Sequence, residues 1–171
     1  MIEPVNVLVI RDMRDVVVEG RTHRTLNFDL RDVLDALRTE VDALNWCITD
    51  LDCHGGDAES FCRRVDEAPA PGLWLSSSAL RSLAANVDQV VDGTFLGFPK
   101  ETRPESIAPD DFEANAFPQS KSRLVIRAVD SSCFEIFTKN AHIAQLLSKR
   151  FSDVCAANPI DFFATFVGEA S

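Results

Sequence analysis

Apolar and polar positions change period several times along the chain, and each change marks an element. Val5–Ile10 is a continuous apolar run, as expected of a strand covered on both faces. Asp12-Met13 reads as a turn, Val16–Val18 with Glu19 as a partner strand, and Gly20 to Arg24 as a second turn into Thr25–Phe28. Together these predict a small antiparallel meander at the N-terminal end. Leu30, Val33, Leu34, Leu37, Val41 and Leu44 then repeat on one helical face for four turns, with Asn27 or Asp29 as the cap. Asn45 to Leu51 alternates Trp46, Ile48 and Asp50 against Cys47, Thr49 and Leu51, a second strand. A turn-rich loop follows at Gly55-Gly56, and Asp57 opens a helix through Val65.

The stretch from Leu73 to Phe98 organises the rest. It reads as a short strand (Leu73–Leu75), a helix capped by Ser76 or Ser77 with Leu80, Leu83, Ala84 and Val87 on one face, and a long strand returning through Asp92-Gly93. Val90, Val91, Phe95, Leu96 and Phe98 are β-rich, and Gly93 and Gly97 are the expected bulge or kink positions. Pro99 to Ser120, with four prolines and a string of acids, reads as a long surface loop of the kind that binds or moves. Leu124, Ile126 and Ala128 alternate with Arg123, Val125, Arg127 and Val129, Asp130-Ser131-Ser132 turns, and Phe134, Ile136 and Phe137 return, which makes a hairpin. Asn140 caps a last amphipathic helix with Ile143, Leu146, Leu147 and Phe151 inward. Asn158-Pro159 opens the apolar segment IDFFATFV, which needs burial against the core or in an interface.

This pattern predicts a single α+β domain over residues 1–171, with a mixed or mostly antiparallel sheet of five to seven strands packed by three or four helices. No internal repeat interrupts it. The apolar fraction of 46% and charged fraction of 26% are ordinary for a chain with one core. No apolar run reaches the roughly 20 residues of a membrane span, and the opening MIEPVNVLVIRD lacks the basic flank of a signal peptide. Five cysteines at irregular spacing read as reduced thiols of a cytoplasmic protein.

Charge changes the picture more than composition does. The chain carries 27 Asp and Glu against 17 Lys and Arg, a formal net charge of −10. A field of that sign repels phosphate backbones and anionic lipid, so nucleic acid and membrane are disfavoured as partners, whereas a basic protein would be steered in. The charge is concentrated: residues 29–67 hold 11 acids against 4 bases. Asp29, Asp32, Asp35, Asp50, Asp52, Asp57 and Glu59 are the candidate partner-binding residues.

Few constellations carry chemistry. Cys47, Cys53, His54 and Cys62 form the one cluster with zinc-ligand residue types, but the spacing departs from the paired knuckles of a structural zinc site. If a metal or a cysteine-dependent activity exists, those four residues are its candidates. Asp50, Asp52 and Asp57 do not fit a calcium-hand spacing, and no phosphate loop, dinucleotide fingerprint, nucleophile elbow or zincin motif is present. No catalytic residue and no cofactor are expected.

The phrases DQVVDGTFLGF (Asp88–Phe98), VDSSCFEIFTKN (Val129–Asn140) and the following AHIAQLLSKRF resemble strands and helices of small acidic immunity proteins that bacteria carry beside polymorphic toxins. The resemblance covers about a third of the chain and carries no shared binding motif. It implies a non-enzymatic role: binding a cognate toxin domain, often a basic nuclease, and blocking its active surface. Two other readings stand beside it, an enzyme or metal protein built on the Cys/His cluster, and a homo-oligomeric accessory domain joined through IDFFATFV.

Overall fold

The computed structural model describes residues 3–168. Seven strands form one antiparallel sheet in the order β5-β4-β6-β7-β8-β1-β9. They are β1 (Asn6–Ile10), β4 (Leu44–His54), β5 (Leu73–Leu75), β6 (Gln89–Pro99), β7 (Leu124–Val129), β8 (Cys133–Thr138) and β9 (Val154–Ala157). A separate ribbon pairs β2 (Met13–Val18) with β3 (Arg21–Leu26). The expected N-terminal meander is therefore corrected. β1 joins the main sheet between β8 and β9, while the next two strands form a hairpin of their own. That hairpin turns at Glu19-Gly20, both at positive φ (51° and 76°), the left-handed pair a two-residue turn needs.

The described residues also form six α-helices: α1 (Leu30–Ala36), α2 (Arg38–Asp42), α3 (Ala58–Glu67), α4 (Ser77–Ala85), α5 (His142–Arg150) and α6 (Pro159–Gly168). The four-turn first helix breaks at Leu37, whose φ of −107° and ψ of 26° leave the helical region. Arg81 of α4 fills the break. Its guanidinium donates to the Leu34 and Arg38 carbonyls at 3.4 and 3.3 Å and reaches Asp35 and Asp42. Leu44 then starts β4 instead of ending the helix.

The two faces of the sheet are buried differently. One is covered by the helices around Trp46, Ile48, Phe95, Ile126, Phe134 and Ile136, all fully buried. The other carries a smaller cluster of Val7, Cys47, Leu96, Phe98, Val125 and Phe137. Its cover is the segment from Pro104 to Gln119, three short 3-10 turns that place Ile107 and Phe117 against the sheet. The expected surface loop is thus a packed layer, because Ile107 and Phe117 are buried in this cluster and Phe112 packs against it. α6 covers part of the rest, with the Phe162 and Phe163 ring centroids 5.4 and 5.1 Å from that of Phe137. Ile160 on the same helix stays 82% exposed.

Candidate functional site

Two bulges decide what the second face displays. β4 pairs with β6 in register from Leu44 to Ile48, and pairing resumes at Asp50 opposite Thr94, leaving Thr49 as the extra residue. A regular strand would set Asp50 beside Trp46 and Ile48 under the helices. The bulge instead turns Leu51 and Cys53 into the helix-side core and sends Asp50 to the opposite face. A second shift, between Asp52 and Cys53, leaves Val91 of β6 unpaired and returns Val90 to the helix side. The expected kinks at Gly93 and Gly97 are corrected. Both glycines pair in register, and a Cβ there would approach the Phe95 ring or the Leu44 side chain at 2.9 and 2.7 Å. They make room for large neighbours.

Below the apolar row Cys47, Leu96, Val125 and Phe137, the next row of the same face is polar. Asp50 pairs with Thr94, Thr94 with Arg127, and Arg127 with Glu135, one residue from each of four adjacent strands. Arg127 donates to the Glu135 carboxylate at 2.8 Å, and its guanidinium sits 4.8 Å from the Phe166 ring centroid. Burial raises the Glu135 pKa, and the adjacent Arg127 and then Arg11 pull it back down. Cys133, on the same face, is also raised by burial and by the Glu135 charge.

Three cavities meet at Thr49 and together form a groove. One, of about 350 Å³, lies between Asp50, Thr94 and Arg127 on the sheet and Phe112, Glu113, Asn115 and Phe166 above it. A second, of about 460 Å³, is bordered by Asp50, Asp52, Asp66 and Asp92. The third, also about 460 Å³, has apolar walls of Pro71, Pro104, Ile107, Pro109 and Phe112. Thr94 is 9% exposed, faces the first cavity and makes no side-chain hydrogen bond among the described residues. Five carboxylates line the groove (Asp50, Asp52, Asp66, Asp92, Glu113) and none of them takes part in an ion pair among the described residues. Among the described residues Arg127 is the one cation in its lining, and Glu135 already holds it.

The sheet divides the candidate partner-binding residues. Asp50 and Asp52 line the groove. Asp29, Asp32 and Asp35 lie on α1 at the helix side and are engaged there. Asp32 pairs with Arg150 at 3.0 Å, and Asp35 with Arg81 at 3.4 Å. Asp29 caps α1 through Leu30 and also accepts the N–H of Val90. Burial pushes its pKa from 3.8 up to about 6, against the lowering effect of those backbone donors. Asp57 precedes α3 without a side-chain capping bond, and Glu59 pairs with Arg63 on the solvent side of that helix. Asp66, Asp92, Thr94, Glu113 and Arg127 were not singled out from the sequence. Sheet register brings in Asp92, Thr94 and Arg127, the 104–119 layer brings in Glu113, and the end of α3 brings in Asp66.

The Cys/His cluster separates as well. Cys47 is buried on the groove side of the sheet, while Cys53 and Cys62 meet on the helix side and His54 is exposed. Among the described residues no three His, Cys, Asp or Glu side chains converge on a metal position. Burial pushes the Cys47 and Cys53 thiols up to about 12. No helix among the described residues is long and apolar enough to cross a membrane. Comparison with protein-family models, with curated proteins and with solved structures returns no match.

Proposed function

We propose that the protein is a non-enzymatic binding module whose groove receives basic side chains of a protein partner. The observation that carries this reading is the set of five carboxylates in the groove at Thr49 that form no ion pair among the described residues. Asp50, Asp52, Asp66 and Glu113 are exposed and so accessible, and a Lys or Arg brought among them meets several negative charges at once. The cavity beside Phe112 and Phe166 suits such a group, since an aromatic face attracts a cation while Asp50 and Glu113 supply countercharge. The apolar wall of Pro71, Pro104 and Phe112 offers the desolvated anchor that usually supplies most of the affinity. The acids held by Arg81 and Arg150 on the other side contribute long-range steering.

The specific form of this reading is an immunity protein that neutralises a basic toxin domain, such as a nuclease, in the cytoplasm. The test is co-expression with the C-terminal domain encoded by the gene immediately upstream. Restored growth and a co-purifying complex are expected. Asp50→Lys/Asp52→Lys, both exposed positions, should weaken that complex tenfold or more and flatten its salt dependence. A complex indifferent to both salt and the double charge reversal would overturn the groove as the binding surface. Unimpaired growth without the protein and no complex would overturn the immunity role.

A further inference from the structure

Cys53, near the end of β4, and Cys62, on α3, bring their sulfur atoms to 3.3 Å. Their elements are already joined by the turn Gly55-Gly56, in which both residues have positive φ (76° and 54°). A Cβ on Gly56 would lie 2.1 Å from the Asn86 carbonyl oxygen, so this turn is tight and held from outside. The two thiols therefore face each other across a short, rigid loop. A disulfide needs about 2.05 Å between sulfurs, so each has to move by roughly 0.6 Å, within the reach of side-chain torsions. The remaining cysteines are placed apart from this pair: Cys47 is buried on the groove side, Cys133 is buried on β8 and Cys155 is exposed on the edge strand β9.

We propose that Cys53 and Cys62 form a modification site, a dithiol that a low-molecular-weight disulfide oxidises to an intrachain disulfide. Cys62 is the more exposed of the two and reacts first. Its thiolate attacks one sulfur of the reagent, the reagent S–S bond breaks, and one reagent thiolate leaves. Cys53 then attacks the Cys62 sulfur of the mixed disulfide and expels the second reagent thiolate. Two protein thiols are oxidised and one reagent disulfide is reduced to two thiols, which take up the two protons released. Burial of Cys53 keeps its thiol protonated and makes the second step the slow one. The bridge pins α3 to β4 just before Val65 and Asp66, which form one wall of the groove.

The test treats the reduced, purified protein with oxidised glutathione and maps its thiols by mass spectrometry. A Cys53–Cys62 crosslink is expected, with a raised Tm for the oxidised form. In Cys53→Ser, Cys62 should stop at the glutathione adduct, and in Cys62→Ala no crosslink should form. Exposed Cys155 reports that the reagent acts. Glutathionylated Cys155 with Cys53 and Cys62 still free, or wild-type Cys62 left as a stable glutathione adduct, would overturn the proposal. Neither readout depends on a partner for the groove.

Discussion

The Asp29 carboxylate accepts the backbone N–H of Val90 at 3.0 and 3.2 Å, tying the start of α1 to the start of β6. The same carboxylate takes the Leu30 N–H at 2.7 Å, while Asp32 closes the turn by accepting the Asp29 N–H. One side chain thus joins the helix layer to strand β6, at the cost of burying a carboxylate.

That burial sets a pH dependence. The folded pKa of about 6 lies above the ordinary 3.8, so between these values the folded state holds the extra proton. Stability from this group is highest below about 4, falls as the pH rises through 6, and is flat above it. Asp29→Asn cannot ionise. Relative to wild type it should gain about 1 kcal/mol between pH 5.5 and 7.5 in urea unfolding. A wild-type-minus-variant difference that stays constant over this range would show that Asp29 is not perturbed.

Phe117 decides whether the 104–119 segment is cover or decoration. It is 1% exposed, its ring centroid lies 5.8 Å from that of Phe137, and Lys139 sits over it at 5.1 Å. Phe117→Ala should cost about 3–5 kcal/mol in denaturant unfolding, as for a fully buried aromatic. A cost below about 1 kcal/mol would return this segment to the status of a surface loop.

The Arg127–Glu135 pair should behave as a buried charge pair, with side chains 22% and 15% exposed. Arg127→Met leaves Glu135 partly desolvated and without its cation, and should cost about 2–4 kcal/mol near pH 7. The double change Arg127→Met/Glu135→Leu should recover much of that loss, because the unpaired charge goes too. Additive losses in the double-mutant cycle would show that the two residues act independently.

Periodicity made the architecture legible. Ser76 caps α4, accepting the Ala79 N–H at 3.2 Å, and Leu80, Leu83 and Ala84 are buried as their spacing requires. The β7–β8 hairpin follows its alternation and turns at Asp130-Ser131, both at positive φ. The sheet has seven strands, within the anticipated five to seven, and among the described residues five helices reach seven residues or more. What periodicity misses is the insertion of a single residue. Thr49 is an unremarkable strand residue, yet as a bulge it exchanges the faces of everything after it, moving Asp50 and Asp52 away from the α1 acids they follow in sequence. Charge summed along residues 29–67 therefore suggested one acidic surface where the fold makes two. β9 was missed because VCAA is too short and too weakly apolar to announce a strand. It exists because β1 offers it an edge.

The place of β1 between β8 and β9 has a consequence for the order in which the protein is made. Val7 pairs with Phe137 on one side and Ala157 on the other, so both neighbours of the first strand are synthesised late. At roughly 5–20 residues per second, the nascent chain carries this apolar strand unpaired for on the order of ten seconds. Meanwhile β4, β5 and β6 can assemble with α3 and α4 from contiguous sequence. The helix-side layer thus draws on contiguous sequence, whereas the strand from Asn6 to Ile10 waits for β8, and β9 then adds to its free edge. During that interval its apolar side chains have no sheet to pack against.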